Sequence, residues 1–154
     1  MCSSDLLTNF SGNQDDAVLA RRIALAQIDA GADILYTMLN AGRSGAIEAC
    51  RERRVPQIGN VRDWVAVMPE VFVASAVADS ANAVFAAARD WAQGRWQPDS
   101  IRRIGLEDPQ SVRLTLGAGV PAAVRGRLEE LRGLVVAGTI TIPETYGGPE
   151  FSAG

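Results

Sequence analysis

The chain has 154 residues, of which 47% are apolar and 21% are charged, with a formal net charge of −3. This length and balance suit one globular domain that buries its core without disulfides or metals. The acidic balance excludes a nucleic-acid surface, which needs a clustered basic face. The chain has no histidine and no lysine. The commonest general base, metal ligand and amine nucleophile are therefore missing, and we expect neither an enzyme, a metal site nor a cofactor.

The first six residues, MCSSDL, include a cysteine at position 2. They lack the basic start and apolar run of a signal peptide, and no stretch of the chain reaches the ~20 apolar residues of a membrane span. CSSDL is also what the end of a common sequencing adapter encodes. Residues 1–6 are therefore interpreted as an artefact or a disordered start, at the point where a longer gene was cut.

A first helix is predicted from Asp15 and Asp16 to Gly31. Acidic residues suit its positive end, and a glycine is the usual residue just beyond a helix. Its predicted buried face carries apolar residues at helical spacing, namely Leu19, Ile23, Ala26 and Ala30. Residues 34–38 follow as a strand that is apolar on both faces, which predicts helices on both sides of the sheet.

A polar loop at 40–45 leads to a second helix, whose buried side carries Ile47 and Cys50. The next two predicted strands are residues 55–59 and 71–77, and an alanine-rich helix follows at 80–93. Strands that alternate with helices of this length indicate βαβ units. The predicted fold class is therefore α/β, with a Rossmann-like parallel sheet.

The pattern changes after Gly94. Residues 100–106 and 111–116 are predicted to be two adjacent strands, and a long amphipathic helix follows at 121–137. The inner face of that helix is expected to carry Val124, Leu128, Leu131 and Val135. Residues 145–154 are predicted to be a loose tail.

Ligands of an open parallel sheet bind beyond the carboxyl ends of its strands, where loops and helix N-termini converge. Four predicted loops lie there, at 11–15, 38–44, 59–64 and 78–79. Amides and carboxylates in them could orient a ligand, and aromatic rings could stack on it. The candidate ligand-binding residues are Asn13, Asp15, Tyr36, Asn40, Asn60, Asp63, Trp64 and Asp79. Structural roles stay open for some, with Asp15 as a helix cap, Asn40 as a turn former and Trp64 as a core anchor.

Several short segments occur in an order that is typical of one known family. They are GNQDD at 12–16, QIDAGADI at 27–34, GAIEAC at 45–50, PQIG at 56–59, SAV at 75–77, and a helix that starts with VP at 120–121 and ends in AGTITIP at 137–143. In this order they resemble the distal lobe of the basic-membrane-protein family of nucleoside-binding ABC transporter components. The resemblance covers residues 12–144.

The resemblance implies a type I periplasmic-binding-protein fold, of which this chain supplies a truncated second lobe. Residues 7–98 would form the ligand-binding lobe. Residues 99–144 would form hinge-crossing strands and a helix that return to the missing N-terminal lobe. A purine nucleoside or similar small solute would be held between the lobes and passed to an ABC permease. The full-length protein would be a periplasmic or extracytoplasmic lipoprotein, anchored to the membrane.

Two positions depart from the family pattern. Val61 stands where relatives commonly carry an aspartate, and Ala78 stands where many carry a lysine. The identity of the solute therefore stays open. Two other functions also stay open, namely the effector-binding domain of a transcription regulator, which shares this fold, and a small Rossmann-like enzyme fragment. An upstream signal peptide would favour the receptor, and an upstream DNA-binding helix pair would favour the regulator.

Overall fold

The computed structural model describes residues 6–153, so residues 1–5, which hold most of the predicted artefact, lie outside it. Within the described residues the helices are α1 (Ala17–Asp29), α2 (Arg43–Arg53), α3 (Ser80–Ala92) and α4 (Ala122–Val136), and the strands are β1 (Leu35–Tyr36), β2 (Gln57–Val61), β3 (Phe72–Ala78) and β4 (Val112–Leu116). No helix in this part of the chain is long and apolar enough to cross a membrane.

The strands form one sheet in the order β1-β2-β3-β4. The first three strands run parallel, with Gly59 beside Ser75, and β4 runs antiparallel to β3, with Leu114 beside Ala76. An antiparallel edge strand on an otherwise parallel sheet is common in α/β folds. The α/β fold class predicted from the sequence is confirmed.

Helices α1 and α2 pack tightly against each other. The buried residues of α1 are Ala20 and Ala24, whereas Leu19 and Ile23 are only half-buried, so the predicted buried face of α1 is wrong by one position. The reason is steric. Gly45 of α2 lies so close to α1 that an added Cβ would come within 2.8 Å of the carbonyl carbon of Ala17. Only small side chains fit between backbones at this separation.

The core lies between these helices and the sheet. Phe72 of β3 is fully buried, and Leu35, Ile47 and Cys50 pack around it. The predicted burial of Ile47 and Cys50 is confirmed. Burial raises the pKa of the Cys50 thiol to about 11, so this thiol stays protonated and unreactive at neutral pH.

The strand predicted at 34–38 is shorter and more open than its composition indicates. Only Leu35 and Tyr36 pair with β2, and Tyr36 and Met38 are 53% and 65% exposed. The prediction that both faces are covered is wrong among the described residues. As an edge strand, β1 has neighbours on one side only, so few residues are held in the ladder.

Of the two adjacent strands predicted after Gly94, only the second forms. Residues 100–106 contain no strand, and Ile101 is 93% exposed. A strand needs a neighbour for its backbone N–H and C=O groups. The segment at 112–116 finds one in β3, whereas 100–106 has none among the described residues.

Helices α3 and α4 form where they are predicted, but neither contains a buried residue. Val124, predicted to be on the inner face of α4, is nearly half exposed, and Phe85 and Trp91 of α3 are largely exposed. An apolar helix face is fully buried only when a second element packs closely against it. The other three residues of the predicted inner face of α4, Leu128, Leu131 and Val135, are half-buried, so this face is partly but not fully buried among the described residues.

The tail at 145–153 has no helix or strand, but it contacts the first described residues. The backbone N–H of Phe151 donates to the carbonyl of Thr8 at 2.6 Å, and the Asn9 amide donates to the carbonyl of Phe151 at 2.8 Å. Phe10 also packs near Tyr146. The two ends of the described chain are therefore fastened together.

Candidate functional site

A depression of about 390 Å³ lies at the carboxyl ends of β1 and β2. This is the edge where open parallel sheets bind their ligands. The depression combines amides, two guanidinium groups and apolar surface, and it is lined by Gln14, Met38, Leu39, Asn40, Arg43, Asn60, Val61, Arg62 and Trp64. No carboxylate is among these lining residues.

The loops on one side of the depression are joined by hydrogen bonds. The Gln14 carbonyl accepts from the backbone N–H groups of Asn40 and Gly42, both at 3.0 Å. The Asp15 carboxylate accepts from the backbone N–H of Ala41 at 3.2 Å. A Cβ at Gly42 would lie 2.7 Å from the Gln14 carbonyl oxygen, so glycine permits this close approach. The segment before α1 thus fixes the loop after β1.

Arg43, the first residue of α2, forms the floor of the depression and is only 7% exposed. Its Nη2 donates to the carbonyl of Leu39 at 2.6 Å and to the side-chain oxygen of Asn60. Its Nη1 has no hydrogen-bond partner among the described residues. A buried guanidinium with unused N–H donors is unusual, because buried polar groups are normally paired.

Trp64 forms one wall, and hydrogen bonds hold it at both ends. Its backbone N–H donates to Ser75 Oγ at 3.0 Å, and its indole N–H donates to the carbonyl of Asn60 at 3.1 Å. Its ring stacks on Phe72, with 5.3 Å between centroids. A Cβ at Gly59 would overlap the Trp64 side chain, so glycine lets the indole settle on β2. Trp64 is therefore rigidly placed between the core and the site.

Two positive charges meet at this tryptophan. The guanidinium of Arg62 lies 4.4 Å from the ring centroid and that of Arg43 lies 4.8 Å from it. Burial and the neighbouring charge of Arg62 lower the pKa of Arg43. An arginine stays protonated at neutral pH even so. The aromatic face offsets part of the repulsion through cation–π attraction.

The structure brings only some of the predicted site residues together. Asn40, Asn60 and Trp64 line the depression, as does no other predicted candidate. The remaining candidates lie elsewhere or have local partners: Asn13 accepts from the backbone of Asp15, Asp15 accepts from that of Ala41, Asp63 accepts from Ala66 and Thr115, Tyr36 is exposed on β1, and Asp79 caps α3.

Sequence reasoning missed the two arginines and Gln14. Arg43 lies in the predicted polar loop at 40–45, and Arg62 lies between the candidates Asn60 and Asp63 in the predicted loop at 59–64. Their position relative to the predicted strands could have indicated them. Both arginines follow strands at the carboxyl edge of the sheet, where a charged side chain can contact a ligand.

Asp79 offers a direct test of its structural role. Its carboxylate accepts from the backbone N–H groups of Ala81 and Asn82, at 3.2 and 3.4 Å. Asp79→Ala should remove this cap at a cost of about 1 kcal/mol, which corresponds to about fivefold faster amide hydrogen exchange in α3. Asp79→Asn should keep the cap and the slow exchange. Equal acceleration in both variants would contradict a capping role.

Two other features do not compete with this site. A hollow of about 410 Å³ lies between residues 9–11, α1 and residues 150–153, away from the strand ends. Among residues 6–153 no group of histidine, cysteine and acidic side chains could hold a metal ion. The depression beside β1 and β2 is thus the candidate site.

The observed fold is a Rossmann-like α/β lobe with a depression at the carboxyl edge of its sheet. The sequence pattern of the Bmp family, described as "ABC transporter substrate-binding protein PnrA-like", matches residues 4–118. The chain belongs to this family. The resemblance identified from the sequence is thereby confirmed.

Solved structures show the same fold. A transcriptional activator of the comK gene from Bacillus halodurans superposes with a TM-score of 0.77 at 16% identity, over 87% of this chain and 47% of that chain. Solute-binding proteins of ABC transporter systems superpose with TM-scores of 0.73 for Aeropyrum pernix K1 and 0.65 for Conexibacter woesei DSM 14684. Their identities are 19% and 22%, and they cover 90% and 88% of this chain and 48% and 45% of theirs.

The chain therefore spans a little under half the length of these structures. No curated protein matches it. The family is one of substrate-binding proteins, which supports a role in solute binding.

Proposed function

We propose that this chain is part of the solute-binding component of an ABC importer, which holds a purine nucleoside or a related small solute and delivers it to a membrane permease. In this proposal residues 7–98 form the ligand-binding lobe, and residues 99–144 return to a first lobe. Binding involves closure of the lobes and no chemistry on the solute. Family membership supports the solute-binding part of the proposal.

The observation that carries the proposal is the position and lining of the depression. It opens at the carboxyl ends of parallel strands, and Asn40 and Asn60 line it beside the indole of Trp64. An amide both donates and accepts hydrogen bonds, which suits the mixed donors and acceptors of a base or a ribose. Apolar surface with a few converging polar groups is the usual composition of a small-molecule site.

Family membership also supports a proposal for where the protein works and what it contacts. Substrate-binding proteins of ABC transporters work outside the cytoplasm in general, so we place the full protein in the periplasm or an equivalent compartment, held at the membrane by a lipid anchor. The open faces of α3 and α4 are then surfaces that a first lobe covers.

A transcription regulator remains the second candidate, because one similar structure is a transcriptional activator. That likeness, at 16% identity, concerns the fold alone. The family pattern matched by residues 4–118 is that of substrate-binding proteins, which favours the receptor.

The test is thermal unfolding of the protein with adenosine, guanosine, inosine and uridine. A purine nucleoside at one hundred times its Kd should stabilise the protein by about 2.7 kcal/mol, which corresponds to a rise in Tm of roughly 5–10 °C. Asn40→Ala should reduce the rise, because Asn40 lines the depression.

Asn82→Ala is the matched control, since Asn82 lies on α3 and outside the depression. It should leave the nucleoside-dependent rise unchanged. Equal rises with uridine and the purine nucleosides would contradict purine selectivity. If none of the four nucleosides changed the Tm, the nucleoside part of the proposal would be wrong, and solute binding would concern another chemical class.

A further inference from the structure

The charged side chains that line the depression are all positive. Its lining contains Arg43 and Arg62, but no aspartate or glutamate. The two nearby carboxylates have other partners, because Asp15 accepts from the backbone of Ala41 and Asp63 accepts from Thr115 Oγ1 at 2.9 Å. Neither arginine forms a salt bridge with any described residue, whereas many surface arginines of this chain do.

Arg43 is held so that its charge is fixed but not neutralised. Its hydrogen bonds go to two neutral oxygens, the Leu39 carbonyl and the Asn60 amide oxygen. Its Nη1 is buried and has no acceptor among the described residues. Burying a charge without a counter-ion is costly, and an anion bound at Arg43 would offset that cost.

Arg62 adds a second cation within reach of the first. Its side chain is exposed, and both guanidiniums lie over the same indole ring. Like charges repel each other, and the aromatic ring compensates only in part. Since both arginines line the depression, an anionic oxygen group bound in it would accept charge-assisted hydrogen bonds from their planar guanidinium groups. The start of α2 at Arg43 adds the positive end of a helix dipole on the same side.

We propose that the solute bound in this depression carries an anionic oxygen group, a carboxylate or a phosphate, which Arg43 and Arg62 clamp beside Trp64. The inference rests on the proposed solute-binding function and narrows it from neutral nucleosides to their acidic derivatives. The two arginines have different parts. Arg43 is the buried contact in the floor of the depression, and Arg62 is the exposed contact at its rim.

The test is isothermal titration of the protein with inosine and with two derivatives that carry an anionic group at the 5′ position. Inosine is compared with inosine 5′-monophosphate and with the 5′-carboxylate of inosine, and inorganic phosphate and acetate are titrated alone. Each acidic derivative should bind at least about tenfold more tightly than inosine, since one charge-assisted hydrogen bond contributes that much. A preference for one derivative identifies phosphate or carboxylate as the recognised group.

Variants assign the preference to these residues. Arg62→Gln should reduce the affinity advantage of the acidic derivative over inosine about tenfold, and the exposed position of Arg62 makes a folded variant expected. Arg43→Lys keeps the charge but not the planar fork, and it should also weaken the acidic derivative selectively. Arg127→Gln, on α4, removes an equal charge outside the depression and should change neither affinity.

The outcomes separate this inference from the proposed function. If inosine binds as tightly as its acidic derivatives, or if Arg127→Gln weakens them as much as Arg62→Gln does, the anion clamp is wrong and nucleoside binding stands. If no inosine compound binds but phosphate or acetate does in an Arg62-dependent way, the clamp stands and the nucleoside is wrong. If none of the five ligands binds, both are wrong.

Discussion

Replacing Gly45 with alanine should destabilise the protein by about 3 kcal/mol, the upper end of the usual cost of overpacking. The new Cβ would overlap the carbonyl oxygen of Ala17 and lie 3.0 Å from the backbone nitrogen of Arg21. Both neighbours are backbone atoms of α1, so no side-chain rotation can relieve the overlap. Urea or thermal unfolding should show the loss, as a Tm lower by roughly 6–12 °C.

Gly126→Ala is the matched control, because it makes the same chemical change in a helix with open space around it. Nothing lies within 4 Å of a Cβ added at Gly126. Alanine there should stabilise α4 by about 0.5–1 kcal/mol, since glycine in a helix interior is unfavourable. We therefore expect Gly45→Ala to lower the free energy of unfolding and Gly126→Ala to raise it. Destabilisation of similar size by both would show that the separation of α1 and α2 is not the cause.

Phe72→Ala should lower the free energy of unfolding by about 4 kcal/mol. Phe72 is fully buried at the centre of the core, and its ring also supports the indole of Trp64. The substitution leaves a cavity and removes the stacking partner of a site residue. The variant should therefore also bind solute more weakly than its residual stability alone accounts for.

Phe85→Ala serves as the control, with the same loss of a phenyl ring from a residue of α3 that is 67% exposed. Its effect on the free energy of unfolding should stay within about 0.5 kcal/mol. Measurement of both variants by chemical unfolding gives the contrast directly. A large loss in Phe85→Ala would mean that α3 is packed in solution against a surface absent from the described residues.

The order of helices and strands could be predicted because local periodicity encodes it. The alternation of apolar stretches with helix caps such as Asp16 and with glycines such as Gly31 is visible in the sequence alone, and the structure has a helix or strand at each predicted place up to residue 93. The pairing of strands is not encoded by local periodicity. Residues 100–106 are predicted to be a strand as residues 111–116 are, but among the described residues only the second segment has a neighbouring strand. Whether a strand forms there depends on tertiary contacts, which periodicity does not contain.

Three of the predicted candidates line one depression at the carboxyl edge of the sheet, and the others do not. Asn60 could be selected because it ends a strand. Arg43 could not be, because its role depends on Asn60, which is seventeen residues away in the chain and touches it only after folding. Asp79 was selected for a carboxylate that the structure uses for helix capping. A single sequence shows which side chains carry chemistry, but not which of them already have partners.

The hydrogen bonds that join the Gln14 carbonyl and the Asp15 carboxylate to the loop after β1 have a thermodynamic consequence. A flexible binding loop loses conformational entropy when it closes on its ligand, at a cost of about 0.5–1.5 kcal/mol for each side chain that becomes ordered. Here the loop that carries Asn40 and leads into Arg43 loses this freedom during folding. The site is therefore preorganised on this side. Its affinity for a solute should depend mainly on the contacts with the ligand, because binding does not include the entropic cost of ordering this loop.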